Sequence, residues 1–251
     1  MTLTQALKEL ESIGDEKVRA QNARNGAPDK QYGVKLGDIR SVAKKIKSDH
    51  DLALALWKTG NFDARLLATL IVKPKQLSAV EMEQWVADAG TMQLAEWVGS
   101  YVLKQHPEKE KLRARWMSAP TPAAPKGTSA KASTGADREP LRTKANGKAM
   151  LARAGWSLTA ARINKKDMDG LDPSALLDRI EKEMPTADPA PQWTMNNTLA
   201  AIGINLEKHR KRALTIGEKL GVYRDYPVSK GCTSPFAPAW INEMVKRQGD
   251  A

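Results

Sequence analysis

Cysteine and histidine are almost missing from this chain: 251 residues hold one Cys, Cys232, and three scattered His, His50, His106 and His209. A single thiol cannot close an internal disulfide or build a Cys-based zinc site, and no two His stand at helical His-x-x-x-His spacing. A metalloenzyme built on thiolate or imidazole is therefore disfavoured, and no cofactor is expected. Long apolar runs are missing too, because no window approaches the roughly 20 residues that a bilayer span needs. Met1–Leu10 has no basic region followed by an apolar run and reads as a folded helix, so no secretion signal is visible. The expectation is a soluble, cytoplasmic, monomeric protein with no membrane partner. Aromatic residues are scarce as well, at 5%.

Positive charge is what the chain has in excess. Forty Lys and Arg stand against 29 Asp and Glu, giving a formal charge of +11. An imbalance of that size points to a polyanion, of which nucleic acid is the commonest.

The hydrophobic period is helical almost throughout. Leu3, Leu7 and Leu10 recur on one face, and Leu36, Ile39, Val42, Ala43 and Ile46 repeat the stripe with Lys44, Lys45 and Lys47 off it. Further helices are predicted over Asp51–Thr59, Phe62–Val72, Ser78–Asp88, Thr91–Gln105 and Pro107–Met117. In the second half they are predicted over Ala149–Ile163, Pro173–Met184, Pro189–Ile202, Leu206–Leu220 and Pro238–Arg247. No run alternates as a strand does between hairpin turns. The chain reads as all-α. Short helices with short turns, repeating loosely about every forty residues, suggest a HEAT-like helical-repeat solenoid. A compact irregular bundle fits the period nearly as well.

Two segments break the pattern. Ala119–Lys148 contains no aromatic residue and a single large aliphatic, Leu141, so it is expected to be a disordered basic insert. It carries a net +4, which leaves +7 for the rest of the chain. The expected organisation is one continuous solenoid: helical repeats over residues 1–118, the insert over 119–148, and further repeats with an ordered C-terminal loop over 149–251. That loop, Gly221–Phe236, is too apolar for a tail and too rich in Gly and Pro for a helix.

Three stretches carry a resemblance. They are Tyr32-Gly33-Val34-Lys35-Leu36-Gly37-Asp38-Ile39-Arg40; Leu56-Trp57 through Phe62-Asp63-Ala64-Arg65; and Trp97 through Val102-Leu103-Lys104-Gln105-His106-Pro107, resuming at Ala152-Arg153-Ala154-Gly155-Trp156. In order and spacing they resemble the AlkD-type DNA alkylation repair family, bacterial HEAT-like DNA glycosylases. The likeness covers most of the chain except the insert and the C-terminal loop. It implies a monofunctional glycosylase acting on purines alkylated at N3 or N7 in double-stranded DNA. Such bases are cationic and leave readily, so the enzyme needs a basic surface for the duplex and a carboxylate near C1′ to stabilise the developing oxocarbenium ion.

The family pattern is a Trp, an Asp four residues later on the same helix, and a second Trp on a later helix. Carried onto this sequence it falls on Met92, Glu96 and Ala201. Only the carboxylate is retained, one methylene longer, so Glu96 is the expected catalytic group. Arg153 falls on a family Arg that contacts the DNA backbone, and its apolar setting calls for a partner such as a phosphate. Trp97 and Trp156 are the candidate aromatic contacts, with Lys104 as a further basic one. Lys230, in Lys230-Gly231-Cys232-Thr233-Ser234, is a second candidate phosphate contact, since such a loop can offer backbone amides to an anion.

Structural alternatives stand beside each assignment: a solvated helix residue for Glu96, core packing for the Trp residues, and a structural ion pair for Arg153. Two other functions fit the sequence. One is a non-catalytic member binding damaged or branched DNA, for which the missing Trp pair speaks. The other is a protein-interaction scaffold with a basic surface.

Overall fold

Side-chain caps from Ser, Thr, Asp or Asn fix most of the helix starts. The structure, a computed structural model, describes residues 1–125 and 146–249. Thr2 opens α1 (Leu3–Ser12) with a capping box closed by Gln5, and Ser78 opens α6 (Ala79–Ala87) with another closed by Glu81. Asp49 caps α4 (His50–Lys58), and Asn61 caps α5 (Phe62–Ile71). Thr91, where the predicted helix Thr91–Gln105 begins, caps α7 (Met92–Trp97), its hydroxyl accepting the Leu94 N–H at 3.1 Å. Pro173 and Pro189 each sit in the first turn, of α10 (Pro173–Glu183) and α11 (Pro189–Asn205), behind the capping Asp172 and Asp188. The remaining helices are α2 (Glu16–Arg24), α3 (Leu36–Ile46), α8 (Lys109–Ser118), α9 (Gly147–Asn164), α12 (Glu207–Leu220) and α13 (Ala237–Gly249).

Among the described residues there is no β-strand, only an isolated antiparallel bridge between Ala123 and Ala187. The all-α reading holds, with two local differences. Helix α2 has no apolar stripe because it buries none of its residues; its signal is the cap alone, Asp15 accepting the Lys17 and Val18 N–H groups. The predicted single helix Thr91–Gln105 is instead α7, a π turn over Val98–Val102 and a 3-10 turn over Leu103–Gln105. Gly99 and Ser100, weak helix formers, lie inside the π turn.

The described residues form two compact units, 1–112 with 146–150, and 113–125 with 151–249, so the boundary falls inside α8 and inside α9. In the first unit α5 is the central helix and packs against α1, α3, α4 and α7. Leu66, Leu67 and Ile71 on α5 are fully buried, as are Leu10, Ile39 and Leu56 around them. In the second unit α11 packs against α10, α12 and α13. It is buried nearly all round, which suits its lack of a polar face. Helix α13 packs close at Gly203, where a Cβ would run into the Ile241 side chain.

Of the expected insert Ala119–Lys148, residues 126–145 lie outside the described residues. Its ends are built into the fold. Thr121 N–H donates to the Glu183 carboxylate at 3.1 Å, Asp188 N–H to Pro122 O at 2.8 Å, and Ala124 N–H to Thr186 O at 2.9 Å. The other end, from Gly147, is the first turn of α9. At the ends of the C-terminal loop Asn196 Nδ2 donates to Pro235 O at 2.9 Å and the Arg224 guanidinium lies 4.5 Å from the Phe236 ring centroid, while residues 227–232 between them are exposed.

Candidate nucleic-acid interface

Two of the stretches that carry the family resemblance meet in the first unit. Asp63, in the first turn of α5, is fully buried and accepts the backbone N–H groups of Tyr32 at 2.6 Å, Gly33 at 3.1 Å and Val34 at 3.1 Å. Burial pushes its carboxyl above the usual range, and those N–H bonds offset part of the rise. Arg65, two residues on, donates from Nε to Trp57 O at 3.2 Å and from a terminal nitrogen to Asp88 O at 3.0 Å. Its guanidinium lies 5.0 Å from the Trp57 ring centroid, and Trp57 stacks on Trp85 at 4.0 Å. The Tyr-Gly-Val and acidic-x-Arg stretches thus brace one another and the ends of α4 and α6. Beside them an open cleft of about 920 Å³ is lined by Phe62, Arg65, Asp88, Thr91 and Leu94 with small residues between.

Glu96 is exposed on α7, immediately before the π turn, and Met92, one helical turn earlier, is half-buried. Glu96 does not line the cleft. Trp97 points the other way: it is 5% exposed, and the Tyr101 ring meets it edge-on at 5.4 Å. Over its face lies the guanidinium of Arg40, 4.6 Å from the ring centroid. Arg40 belongs to the first quoted stretch, yet the sequence assigned it no role; it lies off the apolar stripe of α3, and nothing local signals that it faces Trp97. Lys104 is exposed, and its backbone oxygen accepts the Lys109 ammonium at 2.8 Å.

The second unit corrects two of the sequence assignments. Trp156 is 0% exposed, with its indole N–H on the Thr121 hydroxyl at 3.1 Å and the Arg179 guanidinium 5.2 Å from its ring centroid. It packs the core and presents no surface to DNA. Arg153 is 4% exposed, and one of its terminal nitrogens donates to Ala190 O at 3.2 Å. Its N–H groups serve the fold at the start of α11, so the structural role fits this geometry better than a phosphate contact. Ala201, where the resemblance sets the second Trp, is 3% exposed inside α11. Lys230 and Cys232 are exposed on the C-terminal loop. An aromatic group missed in the sequence stands near the base of that loop: Trp193 meets Tyr223 edge-on at 5.1 Å and Tyr226 at 5.9 Å, and Trp193 and Tyr226 are half-exposed.

Glu96, Trp97 and Lys104 therefore belong to the first unit and Arg153, Trp156 and Lys230 to the second. Among the described residues no three His, Cys, Asp or Glu side chains cluster as metal ligands, and no helix is long and apolar enough to cross a membrane.

The architecture and these local features are those of a HEAT-like helical-repeat protein. A solved structure described as a member of "a new family of proteins related to the HEAT-like repeat DNA glycosylases with affinity for branched DNA structures" superposes with a TM-score of 0.70 at 22% identity, covering 99% of this chain and 95% of that one. The DNA alkylation repair enzyme family matches residues 6–122, which bears out the resemblance carried by the Tyr32–Arg40 and Leu56–Arg65 stretches. Two relatives align over 98% of this chain and 99% of their own length: the uncharacterized protein Lin0241 of Listeria innocua at 20% identity and the uncharacterized protein Lmo0209 of Listeria monocytogenes at 19%.

Proposed function

We propose that this chain is a DNA-binding protein of the alkylation repair type that engages DNA with an interrupted helix, such as a branch point, in preference to intact duplex. The observation that carries this reading is the loss of the aromatic walls an excision site would need. Ala201 is closed inside α11, Met92 is half-buried, and Glu96 lies exposed outside the cleft. The solved relative described as having affinity for branched DNA, alike over nearly the whole chain, and the excess of +11 in charge support it. The protein would act as a cytoplasmic monomer and take no cofactor. Fluorescence anisotropy with a four-way junction and a duplex of equal length tests the preference. We expect the junction to bind at least about tenfold more tightly at equal salt, with steep salt dependence for both. Equal affinity for the two would remove the preference, and no binding to either at low salt would leave the protein-scaffold reading.

A second reading keeps the glycosylase. It is favoured by one observation, an exposed carboxylate, Glu96, set directly against a π turn, an irregularity frequent at functional sites. In that reading Glu96 orients a water and stabilises the oxocarbenium ion at C1′ of an N3- or N7-alkylated purine. Duplex carrying 7-methylguanine or 3-methyladenine would release free base with the native protein and not with Glu96→Gln. Release no faster than from buffer alone would end this reading.

A further inference from the structure

We propose that Arg40 is a pre-set clamp for a DNA phosphodiester, held in place by Trp97 and Tyr101; this rests on the DNA-binding reading above. Arg40 lies on the exposed face of α3, and its guanidinium covers the indole of the buried Trp97 at 4.6 Å. Two of its nitrogens donate to oxygens on either side, to Leu36 O at 3.3 Å and to the Tyr101 hydroxyl at 3.4 Å. Both bonds are long, so they steer the group more than they satisfy it. A guanidinium carries five N–H donors in a rigid fork, and these two bonds leave three for an incoming anion, one more than a bidentate phosphate takes.

Three features separate this arginine from an ordinary solvated one. Among the described residues no carboxylate pairs with it, whereas Arg162, Arg179, Arg212, Arg224 and Arg247 are each engaged by an acid. Its platform is fixed, because Trp97 is buried and braced edge-on by Tyr101 at 5.4 Å. Its tether comes from the π turn Val98–Val102, where the predicted helix first departs from α geometry, and that turn carries the Tyr101 hydroxyl that meets Arg40. A side chain held this way has already lost most of its rotamer freedom, so binding an anion costs it little further entropy. Lys44, one turn along α3 and also exposed, adds a second positive charge on the same face.

The test is the salt dependence of junction binding by the full chain, measured by anisotropy for wild type, Arg40→Gln, Arg40→Lys and Tyr101→Phe. If Arg40 neutralises one phosphate, Arg40→Gln lowers the slope of log K against log salt by about 0.9 in magnitude. Arg40→Lys keeps the slope, since the charge remains, but binds more weakly, because an ammonium cannot make the bidentate contact. Tyr101→Phe keeps the slope and weakens binding by a smaller factor than Arg40→Lys. Urea midpoints check that each variant is folded. A wild-type slope in a folded Arg40→Gln protein overturns the clamp and leaves the DNA-binding reading standing. A wild-type protein that binds neither junction nor duplex at low salt overturns both.

Discussion

The carboxylate of Asp63 accepts the backbone N–H of Gly33 at 3.1 Å across thirty residues of sequence, with Tyr32 and Val34 bound beside it. Gly33 is required by the turn itself: its φ is +78°, and a Cβ would lie 2.5 Å from the Asp15 carbonyl oxygen. Asp63→Ala leaves these N–H groups without their acceptor and is expected to cost about 3 kcal/mol. Gly33→Ala adds left-handed strain of roughly 1–3 kcal/mol to a steric clash. Urea denaturation of both variants checks this; wild-type midpoints would show that the turn contributes nothing to stability.

Acid stability follows from two carboxylates with opposite shifts. Burial pushes the Glu183 carboxyl up, but its hydrogen bonds from Arg179 and Thr121 outweigh that and hold it below its ordinary 4.5. Its stabilising contribution is therefore complete above 4.5 and is lost as pH falls through the lowered value. Asp63 behaves oppositely. Its raised value means that the folded state holds the proton more tightly, so its contribution is greatest below 3.8 and declines as pH rises through the folded-state value. Glu183→Gln should flatten the loss of stability on acidification, and Asp63→Asn should steepen it, as read from urea midpoints between about pH 3 and about pH 6.

Trp156→Ala is expected to cost about 3–5 kcal/mol, because it opens a cavity at a fully buried position of the second unit's core. The indole also bonds Thr121, in a segment further held by Glu183, so the variant should become more sensitive to proteolysis near residues 119–125. A Trp156→Ala protein with native stability and weakened DNA binding would return this residue to the interface.

Glu96→Gln changes an exposed helix residue and should alter stability by no more than about 0.5 kcal/mol. Any loss of base release in that variant then reports on chemistry and not on folding, and a drop beyond 2 kcal/mol, measured by urea, would mark Glu96 as structural.

Much of the fold was legible because helix period and capping are local. The stripes over Leu3–Leu10 and Leu36–Ile46, the Thr91 cap and the prolines at 173 and 189 all report on residues within a few positions of one another. Helix α2 escaped because it buries nothing, and the π turn at Val98–Val102 because its irregularity leaves the apolar spacing around it unbroken.

The site was legible only in part. Trp97 and Glu96 adjoin in sequence yet differ in burial, and Arg153 and Trp156, both expected to face DNA, lie in the core. By itself the sequence determined the helical class, the excess of positive charge and the stretches that define the family likeness, since each depends on composition or on neighbours along the chain. Only the tertiary structure decided which cations remain at the surface. Arg40 reaches the Tyr101 hydroxyl across a sequence separation of 61, and Arg153 reaches Ala190 O across 37; whether an arginine is spent on the fold or left to meet an anion is set by such contacts, which no local pattern encodes.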